Sequence, residues 1–347
     1  MVIFFSQLKK VFRLLNRENV PKIFLLIILS VALGTFGIYI FEYKINQNVG
    51  GVLDAIWWSL VTITTVGYGD ISPVTLGGRI TAVIVMILGI GFVGMFTATI
   101  ASIFVERKLK EERGLMKTNA TGHTILCGWN FQAEDIIQEI RADKETRNQF
   151  IVLIADIDSK PIDDTDLFFI KGDVNEDTLQ KANLEEARNI IIIGDDRLDP
   201  RSRDARTILN TLTVESINPD VYTCVEIENS ENVAHCRRAK ADEIIVSGEF
   251  SSKLLARAAI HHGISKLIDE LVSSRYGADL YKIEAPKRWV GIKFIDAFTQ
   301  AKIDFDAIIV AIDSAAKKAF LSNPEKNYVI QSGDSLILIS TKKPDFV

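Results

Sequence analysis

Between Thr64 and Asp70 the chain reads Thr-Thr-Val-Gly-Tyr-Gly-Asp, a run in which hydroxyl side chains lead into two glycines set two residues apart. Gly67 and Gly69 can take backbone dihedrals closed to residues with a side chain, so alternate peptide units can turn and aim successive carbonyl oxygens the same way. Such a row of oxygens, joined by the Thr65 hydroxyl, can replace the water shell of an ion. One chain supplies only one side of the cage.

The elements around the run fit that chemistry. Ile23 to Phe41 contains no charged residue, and at ~1.5 Å per residue it is close to the length needed to span hydrocarbon. Ile80 to Val105 is a second uncharged run, longer than the minimum, so it can tilt or protrude. Asp54 to Thr64 supplies a short helix leading into the glycine loop. A tight loop in a soluble core is the competing reading, but irregular backbone between two spans is tolerated where protein buries it or it lines a water-filled cavity.

The run Thr65-Val66-Gly67-Tyr68-Gly69 is the loop by which potassium filters are recognised, so it matches a known signature and derives no selectivity from first principles. With its two spans the segment resembles tetrameric potassium channels. The resemblance implies four copies around one axis, K+ in the filter, stacked carbonyl rings from Thr65, Val66, Gly67 and Tyr68, and the Thr65 hydroxyls as the innermost ring. It also implies that the aromatic pair Trp57-Trp58 wedges the pore helix against Tyr68. The second span carries Gly89, Gly91 and Gly94, and glycine there permits close helix approach and lowers resistance to bending. In the channels it resembles, the inner helix bends at the Gly89 position, and Gly91 leaves the pivot open.

Basic residues cluster before the first span (Lys9, Lys10, Arg13, Arg17, Lys22) and after the second (Arg107, Lys108, Lys110, Arg113, Lys117), while the connection is poor in them. This pattern predicts a multi-pass protein of the cell membrane with both termini cytoplasmic. Leu8, Val11, Phe12, Leu14 and Leu15 fall at roughly helical spacing between the first basic residues, as in a segment lying along a membrane surface. A cleaved signal peptide is disfavoured, because the following apolar run is too long and no small-residue cleavage pattern follows it. Over 347 residues, a mean hydropathy of +0.17 with 24% charged residues is too mixed for a uniform membrane bundle or a uniform soluble protein. The formal net charge is only −5 and no basic block stands out, so nothing points to nucleic acid as a partner. Cys127, Cys224 and Cys236 are widely spaced and fit reduced cytosolic thiols. The four histidines show no metal-ligand spacing.

The second half reads differently. Strands are expected at 123–128, 150–155, 167–170 and 190–193, with an amphipathic helix over 133–140, and this alternation implies a parallel, doubly wound sheet. The first turn, Gly128-Trp129-Asn130-Phe131-Gln132-Ala133, is a degraded dinucleotide fingerprint with Asn130 and Ala133 in place of its second and third glycines. Asp156 follows at about the distance of a ribose-binding carboxylate, and a helix starting near Phe131 would offer free N–H groups to phosphate.

From about Gly122 onward the chain resembles the regulator-of-potassium-conductance (RCK) domain, also called the Trk-type nucleotide-binding domain. The carriers are the turn from Ile125 to Ala133, Gly172-Asp173, Lys181-Ala182-Asn183-Leu184, Ala187-Arg188, and the run from Ala239 to Ile245. The resemblance implies a ring of such domains beneath the pore, a nucleotide (NAD or ADP) at Gly128, Asn130, Ala133, Asp156 and Asp173, a crossover helix over 251–262, and a small second lobe over 281–339. Tyr222 to Glu228 reads as a strand whose two-residue period sets Glu226 and Glu228 on one face. Two carboxylates so placed can take a hard divalent cation, given a third oxygen donor. Calcium-gated members of the family support the pair; Asp195, in an acidic loop with Asp196, is the third candidate, although that loop is offset from the family's third ligand.

The expected architecture is a membrane α-helical pore module with two spans, a cytosolic α/β Rossmann-like domain with a parallel doubly wound sheet, and a small α+β C-terminal lobe. The expected boundaries are a juxtamembrane segment at 1–22, the pore module at 23–105, a charged linker at 106–120, the Rossmann-like lobe at 121–248, crossover helices at 249–278 and the C-lobe at 279–347. The implied function is potassium conduction by a homotetramer, gated by calcium, an adenine nucleotide or both. An NAD-binding oxidoreductase is the competing class, but no catalytic acid, base or nucleophile constellation accompanies the nucleotide turn. A regulatory subunit of a separate potassium transporter is a third. An internal start such as Met116 leaves open whether the ring gains further RCK domains.

Overall fold

The structure is a computed structural model that describes residues 20–344. The expected juxtamembrane segment lies, up to residue 19, outside the described residues. The chain divides into two compact units, one up to Lys110 and one from Glu111.

The first unit holds α1 (Val20–Glu42), α2 (Val52–Ile63) and all but the last two residues of α3 (Leu76–Glu112). α1 and α3 are long and apolar enough to cross a membrane, with mean hydropathy of 2.5 and 2.4 in their most apolar stretches. Their core is small: Ile38, Ala55, Trp58, Ile63 and Val85 meet there, while Phe24, Leu29, Phe36, Ile87 and Ile90 are exposed. Between such helices close approach depends on small residues. At Gly34 of α1 an added Cβ would stand 2.7 Å from the Ser59 hydroxyl of α2. α3 continues past the uncharged run, so the first residues of the expected linker are helical. An i,i+4 pair of Glu106 with Lys110 supports that extension.

The second unit begins its sheet with β1 (Thr124–Cys127), α4 (Phe131–Ala142), β2 (Ile151–Ala155), β3 (Leu167–Lys171), α5 (Glu176–Lys181) and β4 (Asn189–Ile192). It continues with α6 (Pro200–Ile217), β5 (Tyr222–Ile227), α7 (Val233–Arg238) and β6 (Glu243–Val246). The six strands run parallel in the order β3-β2-β1-β4-β5-β6. All four residues of β1 are buried, as expected of a central strand covered on both faces. Ile125, Cys127, Val152, Ile154 and Ile190 pack on one side, and Leu126, Ile151, Leu153, Phe169 and Ile137 on the other. The order in which strands are added reverses between β1 and β4, and a crevice opens at their carboxyl ends, the usual ligand position in such sheets.

Two helices follow, α8 (Ser247–Ile260) and α9 (Ile264–Val272), and neither has a fully buried residue. The last lobe comprises β7 (Asp279–Glu284), α10 (Phe294–Phe305), β8 (Ile308–Ser314), β9 (Ala319–Ser322) and β10 (Ser335–Ser340). Its antiparallel sheet has the order β7-β10-β8-β9 and packs around Trp289, Phe294, Ile309, Ile312 and Leu336.

Candidate functional sites

In the glycine loop, Thr65, Gly67 and Gly69 have φ of +61°, +57° and +77°, whereas Val66 and Tyr68 do not have positive φ. Every second residue therefore lies in the left-handed region, including a β-branched one. The loop's amides turn back to α2: Thr65 N donates to Thr62 O at 3.1 Å, and Val66 N and Gly67 N donate to Val61 O at 3.0 and 3.3 Å. The helix's orphan carbonyls are thereby satisfied by the loop itself. Trp57 stacks on Tyr68, and its Nε1 donates to Asp70. Of the aromatic pair, only Trp57 makes this contact within the chain; Trp58 is buried in the core of the unit.

Glu42, which sequence reasoning passed over, is fully buried at the end of α1. Its carboxylate accepts from Val74 N (3.0 Å), Thr75 N (2.9 Å), the Thr75 hydroxyl (2.7 Å) and Asn46 Nδ2 (3.0 Å). The same Asn46 amide donates to Ser72 O at 2.8 Å. One acidic group thus joins the end of α1, the segment after the glycine loop and the start of α3. A buried carboxylate is costly unless so satisfied, and the sequence signal was a lone acid closing a long uncharged run.

The three α3 glycines differ. A Cβ on Gly89 would stand 3.1 Å from Ile63 Cα and 3.3 Å from Ile63 O, so this glycine lets α3 approach the end of the pore helix. Gly91 and Gly94 have nothing within 4 Å of that position. α3 runs through all three as one helix.

At the carboxyl end of the parallel sheet a cavity is lined by Gly128, Asp156, Gly172, Asp173, Arg197 and Arg206, among others. Gly128 has φ +105°, and a Cβ there would lie 2.8 Å from Ile193 Cγ1. Two of the expected nucleotide residues behave otherwise. Asn130 is the N-cap of α4: its side-chain oxygen accepts from Gln132 N (2.9 Å) and Ala133 N (3.2 Å), and its amide donates to Gly194 O at 3.0 Å. The N–H groups expected to face phosphate are already taken, and Ala133 is buried in the core instead of lining the cavity.

Sequence reasoning also missed the basic wall. Arg203, Arg206, Thr207 and Asn210 line the cavity from one stripe of α6, at the i, i+3, i+4, i+7 spacing that a helix places on one side. Arg206 Nη2 pairs with Asp173 Oδ1 at 2.6 Å. Arg197 grips Asp195 with Nε and Nη2, both at 2.9 Å, and reaches Asp156 Oδ2 at 3.4 Å. The guanidinium holds the Asp195 carboxyl below the usual carboxylate range.

The proposed calcium ligands Asp195, Glu226 and Glu228 are not gathered into one donor set. Asp195 is committed to Arg197; Glu226 accepts from Gly194 N at 3.2 Å and from the Ser247 hydroxyl. Glu228 lies just past the end of β5, where Arg203 stands between it (3.8 Å) and Asp196 (3.1 Å). Among the described residues, no group of three or more His, Cys, Asp or Glu side chains is placed to hold a metal ion. The strand period set the two glutamates on one side, but it could not show a competing guanidinium arriving from α6.

Residues 25–106 match the model of a family described as ion channel, and residues 119–225 match that of the calcium-activated potassium channel slowpoke-like RCK domain. The calcium-gated potassium channel TvoK of Thermoplasma volcanium is 29% identical over 98% of this chain and 97% of its own length. The putative potassium channel protein YugO of Bacillus subtilis is 31% identical over 66% of this chain and 68% of its own. The structure of the human SLO3 gating ring is similar in fold over 63% of this chain and less than half (44%) of that one, with a TM-score of 0.51 and 15% identity.

Proposed function

The chain belongs to the two-transmembrane potassium channels that carry an RCK domain, and from that premise we propose that four copies form the pore and that an adenine nucleotide in the RCK cavity sets its open probability. The observation that carries the conduction reading is the left-handed φ at Thr65, Gly67 and Gly69. Alternation of hand aims the intervening carbonyls one way, and a ring of four such edges completes the coordination one chain leaves open. The basic residues flanking the spans support a cytoplasmic position for both termini.

The cavity at the ends of β1 and β2 supports a nucleotide: Gly128 allows close approach at the turn, and Asp156 and Asp173 offer acceptors for ribose hydroxyls. Such a ligand shifts the gate only through different affinity for the closed and open arrangements; a hundredfold preference per site corresponds to about 2.7 kcal/mol. A second reading, calcium at Glu226 and Glu228, is favoured by the likeness to a relative named as calcium-gated, and requires Arg203 to release Glu228.

Single-channel recording of the purified protein in lipid bilayers, with NAD, ADP and calcium varied separately, tests these readings. Potassium current from the purified protein alone separates a channel from a regulatory subunit. Gly67→Ala should abolish that current while assembly persists, because the cost lies in the backbone at φ +57° and not in space: an added Cβ meets nothing within 4 Å. Unchanged potassium selectivity in this variant would overturn the filter assignment. Glu226→Gln with Glu228→Gln should remove a calcium response and spare a nucleotide response; equal calcium sensitivity in wild type and variant excludes that site.

A further inference from the structure

Resting on the nucleotide reading and deepening it, we propose that the ligand's diphosphate is bound by Arg197 and Arg206, and that Asp156 and Asp173 hold these arginines only until the ligand arrives. The side chain of Asn130 occupies the amides of Gln132 and Ala133 at the start of α4. A diphosphate approaching the Gly128 turn therefore needs other donors. The cavity wall supplies them in Arg197, Arg203 and Arg206.

The pairs that now engage two of these arginines are open to exchange. The side chains of Arg197 and Asp156 are 63% and 50% exposed, and those of Arg206 and Asp173 are 39% and 54% exposed. Ion pairs this accessible contribute little, because water screens them. Asp173 meets Arg206 through one oxygen at 2.6 Å, and Asp156 meets only Nη1 of Arg197, at 3.4 Å, while Nε and Nη2 of Arg197 stay with Asp195; a phosphate oxygen pair suits a planar guanidinium better than one carboxylate oxygen does. Arg203 adds an independent sign of an incomplete site: its Nε is buried with no hydrogen-bond partner.

The exchange does a second thing. Once Arg197 turns to phosphate, the Asp156 carboxylate is released at the end of β2, where it can accept from a ribose hydroxyl. The three lining arginines face three lining aspartates, Asp156, Asp173 and Asp195, so the cavity has no excess positive charge to attract an anion from a distance. Discrimination between a nucleoside and its diphosphate then depends on the local exchange. The inference concerns the adenosine diphosphate portion that ADP and NAD share.

Calorimetry on the full-length channel in detergent, with ADP, NAD and adenosine titrated separately, tests it. Wild type should bind ADP or NAD at least about tenfold more tightly than adenosine, and Arg206→Gln and Arg197→Gln should each remove most of that advantage while adenosine affinity stays unchanged. If both variants bind the diphosphate ligand as wild type does, the phosphates are held elsewhere and the exchange is wrong, with the nucleotide reading intact. If wild type binds none of the three compounds, the nucleotide reading itself falls. Should Arg206→Gln lose adenosine as well, Arg206→Lys decides: weakened diphosphate binding with adenosine retained supports the exchange, and wild-type diphosphate affinity overturns it.

Discussion

Trp57 lies flat on Tyr68, with ring centroids 5.7 Å apart and planes 6° from parallel, and the same indole donates to Asp70 Oδ2 at 2.8 Å. One α2 side chain therefore steadies both the aromatic ring of the glycine loop and the acid that follows the loop. Trp57→Phe would keep a ring for stacking and delete the donor to a charged acceptor, a bond type worth about 1.5–3 kcal/mol when shielded and less at this exposed position. The expected outcome is potassium current that starts normally and decays faster under sustained opening. Current as steady as in wild type would mean that the indole N–H has no part in holding the filter.

Glu42 makes a prediction about assembly. Glu42→Ala takes the acceptor from two backbone amides and two side-chain donors, and a buried donor left unsatisfied costs about 1–3 kcal/mol. The variant's purified channel should lose heat resistance, and Glu42→Gln, which keeps the volume and one acceptor oxygen, should fall between it and wild type. A melting profile of Glu42→Ala that overlays the wild type would remove the carboxylate from the account of this end of the unit.

The two α3 glycines should separate packing from bending. Gly89→Ala places a methyl against the Ile63 backbone, where the nearest atom would be 3.1 Å away, and should lower thermal stability. Gly91→Ala meets nothing and raises helix propensity by about 1 kcal/mol, so it should leave stability intact or higher. If α3 bends at residue 91, open probability falls in this variant; if open probability falls only in Gly89→Ala, the pivot is at 89. Negligible change at both positions would assign the glycines to packing and move the gate elsewhere.

His123, buried at the entrance to β1, makes the RCK unit sensitive to acid. Burial lowers its pKa from the ordinary 6.5; Nε2 bonds to Ala182 O at 2.8 Å, and Nδ1 is buried without a partner. A depressed histidine stays neutral in the fold while the unfolded chain takes up a proton. Its contribution is therefore full above about pH 6.5 and is lost as pH falls from there towards the folded-state pKa. Denaturant unfolding of the channel between pH 7.5 and 5.5 should show declining stability of this unit, and the slope should flatten in His123→Asn. An equal slope in both proteins would assign the acid sensitivity to other groups.

Much of this was legible in the residues. The spans, the left-handed glycine loop and the doubly wound sheet are written in local patterns: charge-free runs, a five-residue signature, and short buried strands alternating with helices. Asn130 was legible too, since an asparagine immediately before a helical run is a favoured N-cap, but the fingerprint alignment directed attention to the missing glycine. The partners of Glu42 were not legible, because two of its donors lie 32 and 33 residues away. The arginine stripe of α6 shows its spacing in sequence, yet only the fold reveals that its partners, Asp173, Asp196 and Glu228, come from the ends of other strands. The same long-range convergence explains why Glu228 meets Arg203 where a cation was expected.

The alternation of φ at Thr65, Gly67 and Gly69 has a mechanical consequence. In a helix each residue turns the chain the same way and the carbonyls follow the axis, whereas in a strand successive carbonyls point to opposite sides. Turns of opposite sense cancel instead, so the segment advances without winding and delivers its oxygens along a straight rail. That rail has no freedom to twist one oxygen aside without reversing the hand of a residue. Because Thr65, with a branched side chain, already holds the unfavoured hand, its relaxation would break the line at its first residue.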